Sequence, residues 1–263
     1  MYTKQDIFRQ LEKMNVPRDK VVLVHTAMRL VGQVEDGAQG FLDVLVEYVT
    51  EKGGLLCIPT HTWDRLGTDQ ITLDMTENHT CLGAFATVAL QDGRGIRSEN
   101  PTHSMVVFGH NAEEFVADET SVTTPCSPYG CYGKVYSQGG YVLLIGTNHK
   151  QNTFLHCIDE ILQIPDRTDD VTRNFTIRRK DGQIISRPLY FLKCSMGDIS
   201  RQYHKYDMPF RYYGCITDGF IGNAPTQCCD AVIMKEVLER IWKNCEGTDP
   251  LREEKDIPPK WYY

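Results

Sequence analysis

The feature that most constrains the fold is the alternation of helical and short apolar segments in the first 60 residues. Apolar residues recur at helical spacing between 4 and 14, ahead of the apolar run 21–24, and a second helical segment, 37–50, precedes the run 55–58. Strands that each follow a helix predict parallel pairing with crossover helices. Ligands of such sheets gather at the carboxyl ends of the strands, so the polar residues that end each run are candidate site residues.

A third strand and the helix after it carry the most informative residues. Residues 141–145 form an apolar run between glycines, and 154–162 have the spacing of an amphipathic helix. His156 lies in the first turn of that helix, with Asp159 three and Glu160 four residues on, so either carboxylate can lie on its face. A carboxylate-held histidine after a strand end suits a general base. The alternative is an ordinary helix N-terminus with a surface Glu.

Together these strand ends predict a polar edge of the sheet. The residues expected to share it are His25, Thr26, Thr60, His61 and His149.

The C-terminal half adds antiparallel strands. Segments 172–178 and 183–192 flank Asp181-Gly182, a favoured two-residue turn, and therefore predict a hairpin. We also predict a helix over 227–244 with Thr226 as its N-cap. The predicted fold is a single α/β domain over 1–263, with a mixed, partly parallel central sheet flanked by helices. The polar, charged segment 246–263 is expected to be loosely ordered.

Charge and hydropathy exclude several classes of partner. The net charge of -7 and the absence of a basic stripe argue against nucleic acid, and an acidic surface weakly favours a cationic ligand. There is no apolar run of about eighteen residues and no signal peptide, so we expect no membrane partner and a cytoplasmic location.

The ten cysteines have no C-x-x-C pair and no repeated spacing. We therefore expect reduced, half-buried thiols and no disulfide framework. A zinc site drawn from Cys126, Cys131, His149 and His156 would lack the clustered spacing of structural zinc sites, so no metal is expected. A zinc hydrolase that uses the two histidines remains an alternative.

Five segments occur in an order that resembles the aminoglycoside 3-N-acetyltransferase family. They are LVHTAMRLVG (23–32), GGLLCIPTHTW (53–63), LGAFATVAL with RSENPTHSMVVFG (82–109), SPYG (127–130) and GGYVLLIGTNHKQNTFLHCIDE (139–160). The resemblance extends over about 4–241. It implies a fold unlike the Gcn5-like acetyltransferases, acetyl-CoA as the co-substrate, and acetyl transfer to the 3-amino group of a 2-deoxystreptamine antibiotic.

The resemblance also implies roles for individual residues. The catalytic histidine falls on His156, and its partner, usually Glu, falls on Asp159. The implied coenzyme contacts, with Asn100 where histidine is usual, are Thr26, Ala27, Met28, Arg97, Ser98, His103 and Ser104, and Thr153 matches the threonine ahead of the catalytic histidine.

A cationic acceptor requires acidic walls, and Asp64, Asp159 and Glu160 are the candidates near the predicted edge. Thr60 lies at the same edge, and Trp63 or the tyrosines at 203–213 could stack on sugars, although plain core packing explains the tyrosines equally well. A binding module that acetylates nothing and an enzyme that acts on another cellular amine remain alternatives. We expect a monomer or homodimer.

Overall fold

The computed structural model describes residues 1–193 and 197–263. The strands are β1 Val21–Thr26, β2 Leu55–Pro59, β3 Leu73–Asp74, β4 Ile96–Arg97, β5 Met105–Phe108, β6 Tyr141–Ile145, β7 Thr168–Arg178, β8 Ile184–Leu192, β9 Ile216–Ile221 and β10 Ala224–Asp230. The helices are α1 Lys4–Lys13, α2 Met28–Val31, α3 Gly37–Thr50, α4 Ala84–Gln91, α5 Ala112–Ala117, α6 Cys131–Ser137, α7 Phe154–Ile161, α8 Asp207–Tyr212 and α9 Ala231–Asn244. Short 3₁₀ segments cover Trp63–Arg65, Asp118–Thr120, His149–Gln151, Ile199–Tyr206 and Pro259–Trp261.

Within the described residues, seven strands form a mixed sheet in the order β4-β5-β2-β1-β6-β10-β9. β1 pairs in parallel with β2 and β6, as the helix–strand alternation predicts. β5 and β10 run antiparallel to their neighbours. The carboxyl ends of β1, β2 and β6 therefore meet at one edge, and the polar loops that follow them come together there.

The sheet separates two hydrophobic cores. Along β1, Val21 and Leu23 face one core, which also contains residues of α6, α7 and α9, while Val22 and Val24 face the other, which contains residues of α1, α3 and α4. Successive side chains of a strand point to opposite faces of the sheet, and both faces are covered here. Residues 21–24 are therefore all apolar and form a continuous apolar run. The result is the helix-flanked α/β domain that the sequence predicts.

The predicted hairpin forms, with β7 and β8 antiparallel around Lys180 to Gly182. Gly182 has a φ of 87°, a conformation that glycine adopts without strain, and its amide donates to the Arg179 carbonyl at 3.0 Å. Lys180, Asp181 and Gly182 thus form a three-residue loop between Arg179 and Gln183, one residue longer than the two-residue turn that Asp-Gly predicts. The two strands and β3 form a second, three-stranded sheet. Its Phe191 and Leu192 reach back toward the polar edge of the main sheet.

Two predictions for the C-terminal third are wrong. Residues 227–230 continue β10, and the last helix begins at Ala231 with Asp230, not Thr226, as its N-cap. The backbone of this segment forms hydrogen bonds with β6 on one side and β9 on the other. This pairing holds the segment as a strand although its local strand propensity is weak. The segment 246–263 is not loosely ordered, because Leu251, Ile257 and Tyr262 are buried in the first core.

No helix among the described residues is long and apolar enough to cross a membrane.

Candidate active site

A cavity of about 830 Å³ opens at the predicted edge of the main sheet. Its floor comes from the segments that follow β1, β2 and β6, and its walls come from α4, the start of α7, the end of β8 and residues 198–200. The expected edge residues His25, Thr26 and His61 border it. Parallel pairing of β1 with its two neighbours thus assembles the site from loops that lie far apart in the sequence.

His156 lies on the wall of this cavity, in the first turn of α7. The 3-4 spacing of Phe154, Leu155 and Ile158 buries one face of the helix in the core and fixes its rotation. Burial lowers the pKa of His156 to about 4, so the imidazole is neutral at pH 7. Its Nδ1 lies 2.9 Å from the Tyr203 hydroxyl, while Nε2 has no hydrogen-bond partner among residues 1–193 and 197–263.

In the described part of the chain, Asp159 is linked to His156 through Tyr203. The Tyr203 hydroxyl donates to Oδ2 of Asp159 at 2.7 Å, and Arg167 donates its Nε to the same oxygen at 3.1 Å. Burial raises the pKa of Asp159 to about 6 despite the adjacent guanidinium. Arg167 also forms two hydrogen bonds to Asp249, of 2.9 and 3.1 Å. These side chains form one continuous hydrogen-bonded chain behind His156.

The Glu160 carboxylate is bound by Thr124 and forms no hydrogen bond with His156 in the described residues. Its Oε2 accepts a 2.5 Å hydrogen bond from the Thr124 hydroxyl, and burial raises the pKa of Glu160 to about 7. Of the two carboxylates that helical spacing brings near the imidazole, the structure thus links Asp159 to it and directs Glu160 elsewhere.

Three further histidines border the cavity. The rings of His61 and His103 lie 4.5 Å apart, and burial lowers the pKa of His103 to about 3 and that of His25 to about 4. His61 is anchored by the Tyr132 hydroxyl at 2.9 Å. Nε2 of His25 is buried without a partner among the described residues. The cavity is therefore lined by neutral imidazoles, one of which has an unsatisfied nitrogen.

The residues implied as coenzyme contacts divide into two groups. Thr26, Ala27 and His103 line the cavity, and Oγ1 of Thr26 is buried without a partner in the described part of the chain. The other four, Met28, Arg97, Ser98 and Ser104, are not among the lining residues. Met28 packs against the second core.

Internal hydrogen bonds engage the side chains of Arg97, Ser98 and Ser104. Arg97 donates to the carbonyl oxygens of Thr60 and His79 at 3.3 and 3.0 Å. Burial lowers the Arg97 pKa to about 10. The Ser98 hydroxyl accepts from the Met105 amide at 3.0 Å, and the Ser104 hydroxyl donates to the Thr60 carbonyl at 2.8 Å. These side chains fasten the loop after β2 to β5, and thereby shape the cavity from behind.

Asn100 has a similar supporting position. It is fully buried and forms four hydrogen bonds: Nδ2 donates to Oε1 of Glu119 at 2.6 Å and to the Pro125 carbonyl at 2.9 Å, while Oδ1 accepts from the amides of Thr102 and His103. Asn100 therefore fixes the turn that presents His103 to the cavity.

The residues expected to bind the acceptor are also divided. Trp63, which is 46% exposed, and Thr153 line the cavity, whereas Thr60 is fully buried against Ser104. Asp64 is not a lining residue, and its carboxylate pairs with Nε2 of His79 at 3.0 Å. The expected acidic walls are therefore absent from the described residues: the charged side chains that line the cavity are Lys150, Arg167, Lys193 and Asp198.

The tyrosines at 203–213 do not line the cavity either. Tyr203 and Tyr206 are core residues, and Tyr212 and Tyr213 pack with Tyr262. Tyr203 nevertheless contacts the site through its hydroxyl, and this contact and the role of Arg167 were missed from the sequence. The aromatic cluster was visible, but no spacing rule connects Tyr203 to a histidine 47 residues earlier.

His149 does not share the predicted edge. It is fully buried, lies against the Phe210 ring with centroids 5.0 Å apart, and is not a lining residue. In the described ranges, no group of three or more His, Cys, Asp or Glu residues is arranged to hold a metal ion. The cysteines in those ranges are free thiols, and Cys194 lies outside them.

Comparisons with known proteins identify the family. Residues 23–242 match the sequence model of the aminoglycoside 3-N-acetyltransferase family. The chain is 28% identical, over 70% of its own length and 67% of the relative's, to an aminoglycoside N(3)-acetyltransferase IV of Salmonella sp. It is 24% identical to the aminoglycoside N(3')-acetyltransferase-like protein YokD of the Bacillus subtilis (strain 168) SPbeta prophage, and this match covers 59% of the chain and 63% of YokD.

Solved structures share the fold of this chain. AAC-IIIb, solved as a binary complex with CoASH, superposes with a TM-score of 0.80 at 20% identity over 94% of this chain and 98% of that one. A variant of AAC(3)-IVa in complex with apramycin gives 0.74 at 22% identity, over 94% and 97%. The match of the family model to most of the sequence shows that this chain belongs to the aminoglycoside 3-N-acetyltransferase family of acyltransferases.

Proposed function

We propose that the chain transfers an acetyl group directly from acetyl-CoA to an amine, with His156 as the general base. The family makes the 3-amino group of a 2-deoxystreptamine antibiotic the first acceptor to test, and apramycin is bound by a structural neighbour. The observation that carries the proposal is the neutral His156 at the cavity, with Nδ1 occupied and Nε2 available to a ligand.

The reaction requires a base because the attacking nitrogen must lose a proton as the C–N bond forms. Nε2 of His156 would take that proton from the amine, the C–S bond would break, and the proton would pass to the departing thiolate of coenzyme A. The carbonyl oxygen gains charge during attack and needs hydrogen-bond donors. No acyl-enzyme is needed, since the amine attacks the thioester itself.

The cavity residues fit acetyl-CoA. Oγ1 of Thr26 is a buried polar atom without a partner in the described residues, on the loop that follows the central strand, where a polar chain could satisfy it. Thr26, Ala27 and His103 would contact the coenzyme directly. The exposed Lys150 is a cation at the cavity for its phosphates. Arg97, Ser98 and Ser104 would act by holding the surrounding loops.

A second acceptor class is supported by the charges of the cavity. Asp198 is the carboxylate among its described lining residues, while the lining cations Arg167 and Lys193 are already paired with aspartates outside the lining. An antibiotic with several ammonium groups needs more negative charge than this to replace its hydration. An amine with fewer positive charges from the cell's own metabolism is therefore the second candidate.

The test is thiol release from acetyl-CoA with a panel of aminoglycosides and singly charged amines, for the wild type and His156→Ala. We expect turnover to fall about 10²–10⁴-fold in the variant while acetyl-CoA binding persists. His149→Ala is the matched control, because it removes a buried histidine that does not line the cavity.

Three results are distinguishable. Wild-type turnover in His156→Ala would refute the role of this residue. Turnover confined to singly charged amines would favour the second acceptor class. Acetyl-CoA binding without thiol release for any acceptor would indicate a binding module that acetylates nothing.

A further inference from the structure

The hydroxyl of Tyr203 occupies an unusual position between two groups that both need orientation. It lies 2.7 Å from Oδ2 of Asp159 and 2.9 Å from Nδ1 of His156. Tyr203 and Asp159 are fully buried, and His156 is 9% exposed. Water therefore cannot readily replace any member of this chain, and the hydroxyl, which has one proton, can donate to only one of its two neighbours.

The proton positions in this chain determine which nitrogen of His156 can act as a base. An ionised Asp159 only accepts hydrogen bonds, so the Tyr203 hydroxyl donates to it and must then accept a proton from Nδ1. His156 is consequently held as the Nδ1–H tautomer, and the lone pair is on Nε2. The reverse arrangement, in which the hydroxyl donates to Nδ1, places the proton on Nε2 and leaves no base toward the cavity.

Arg167 supports the first arrangement. Its guanidinium contacts the same Oδ2 that accepts from Tyr203, and Asp249 holds the guanidinium from behind. A cation at this distance favours the ionised carboxylate. The charge of Asp159 is thus transmitted to His156 by a neutral hydroxyl.

We propose that Tyr203 is a positioning residue that couples Asp159 to His156 and selects the Nδ1–H tautomer required of the base. The catalytic part of this inference rests on the proposed function, whereas the tautomer is a property of the protein alone.

The geometry also explains why a tyrosine is needed. Oδ2 of Asp159 and Nδ1 of His156 both contact the Tyr203 hydroxyl, at 2.7 and 2.9 Å. With an ordinary angle at the hydroxyl oxygen, these two atoms lie about 4.5 Å apart. This separation is too long for a direct hydrogen bond between carboxylate and imidazole. One extra methylene extends a side chain by about 1.5 Å. A glutamate at position 159 could therefore reach Nδ1 directly, provided that the hydroxyl were absent.

The chain should also respond to pH. Burial raises the pKa of Asp159 to about 6, and a protonated Asp159 no longer requires the hydroxyl proton. The hydroxyl can then donate to Nδ1, and the Nε2–H tautomer should become populated below about pH 6. Among the residues that the structure describes, the other titratable or charged groups that interact with the imidazole are Arg167 and Asp198, together with the neutral His61 and His103.

The experiment compares Tyr203→Phe with Tyr206→Phe. Tyr206 is an equally buried neighbour whose hydroxyl accepts from Nε1 of Trp242 and does not contact His156. Nitrogen-15 NMR of histidine-labelled protein, with the His156 signals identified by their loss in His156→Gln, reports the tautomer without any acceptor. Thiol release gives kcat and KM separately.

We expect the Nδ1–H pattern at pH 7.5 in the wild type and in Tyr206→Phe, and a mixture of tautomers in Tyr203→Phe. The kcat of Tyr203→Phe should fall roughly 10- to 10³-fold, with little change in the KM for acetyl-CoA. Adding Asp159→Glu to Tyr203→Phe should restore the Nδ1–H tautomer and at least tenfold of the lost kcat.

The inference is overturned if Tyr203→Phe keeps the wild-type tautomer and kcat, or if it merely matches Tyr206→Phe. Should no acceptor support turnover in the wild type, the proposed acetyl transfer fails while the NMR comparison still decides the role of Tyr203. A tautomer change without any change in kcat, in an active enzyme, would refute the catalytic part alone.

Discussion

Replacing Asn100 by aspartate should destabilise the protein in a strongly pH-dependent way. In the wild type, Nδ2 of Asn100 donates to Oε1 of Glu119 at 2.6 Å, deep in the protein. Asn100→Asp places a second carboxyl oxygen at this position. Two ionised carboxylates cannot remain in contact in a buried site, so the pair must hold one proton at neutral pH. The protonated pair then regains the hydrogen bond.

The magnitude follows from the proton that the folded variant must bind. An unfolded carboxyl has a pKa near 4, and each pH unit above it adds about 1.4 kcal/mol to the cost of keeping the proton. This cost is about 4 kcal/mol at pH 7 and about 1.4 kcal/mol at pH 5. Loss of the hydrogen bond to the Pro125 carbonyl adds roughly 1 kcal/mol at either pH. The difference between variant and wild type should therefore shrink by about 2.7 kcal/mol on acidification from pH 7 to 5.

Urea unfolding of wild type, Asn100→Asp and Asn100→Ala at both pH values measures this difference. Comparison with the wild type at each pH cancels the titration of groups that the proteins share. The sign is fixed, because a variant that binds a proton on folding becomes less stable as pH rises. Asn100→Ala removes the same hydrogen bonds without adding a carboxyl, so its destabilisation should depend on pH much less than that of Asn100→Asp. Equal destabilisation of Asn100→Asp at pH 5 and 7 would refute the contact with Glu119.

Four further outcomes are expected. The free energy of unfolding should fall as pH drops from 6.5 to 4, since the pKa values of His25 and His156 are about 4 in the folded protein and these residues gain protons more readily when unfolded. Each histidine lowers the stability by up to roughly 3 kcal/mol, and the buried carboxyls offset part of this loss. Urea titrations across this pH range measure the sum. Lys150→Ala should raise the KM for acetyl-CoA up to about fivefold, less so in high salt, with kcat unchanged in steady-state assays. Asp198→Asn, which can keep its hydrogen bonds to Ser200, should raise the KM of cationic acceptors several-fold but leave that of acetyl-CoA unchanged. Deleting 246–263 should lower Tm by about 10 °C or more in a thermal melt, because the segment buries three large side chains in the first core.

The fold was predictable where the local signal and the tertiary environment agree. β1, β2 and β6 are continuous apolar runs because both faces of the sheet are covered, and their parallel order follows from the helices between them. The helix predicted from residue 227, with its cap at Thr226, is wrong over 226–230 because there the local signal and the tertiary environment disagree. The sequence of this segment has weak strand propensity, and its conformation is set by hydrogen bonds to two strands. On one side it pairs with β6, which lies some 80 residues earlier in the sequence, and on the other with β9, to which a tight turn connects it.

The site was predictable as a location but not as a set of contacts. The carboxyl ends of parallel strands had to bring His25, Thr26 and His61 to one edge, and helical spacing had to place Asp159 and Glu160 near His156. Spacing does not say which hydrogen-bond partner a side chain takes. The Thr124 hydroxyl donates to Glu160, whereas Tyr203 and Arg167 both donate to Asp159.

The same limit applies to charge. Asp64 is predicted to form an acidic wall, yet its carboxylate pairs with His79 and does not line the cavity, and the Asp159 carboxylate pairs with Arg167. The described lining is consequently richer in cations than in carboxylates, although the chain as a whole is acidic. Net charge thus describes the field that a ligand meets during approach, whereas the ion pairs formed on folding decide what charge it meets once bound. Acceptor preference in this family member should therefore follow the few charges left unpaired at the cavity, and Asp198 is the carboxylate at which that can be measured.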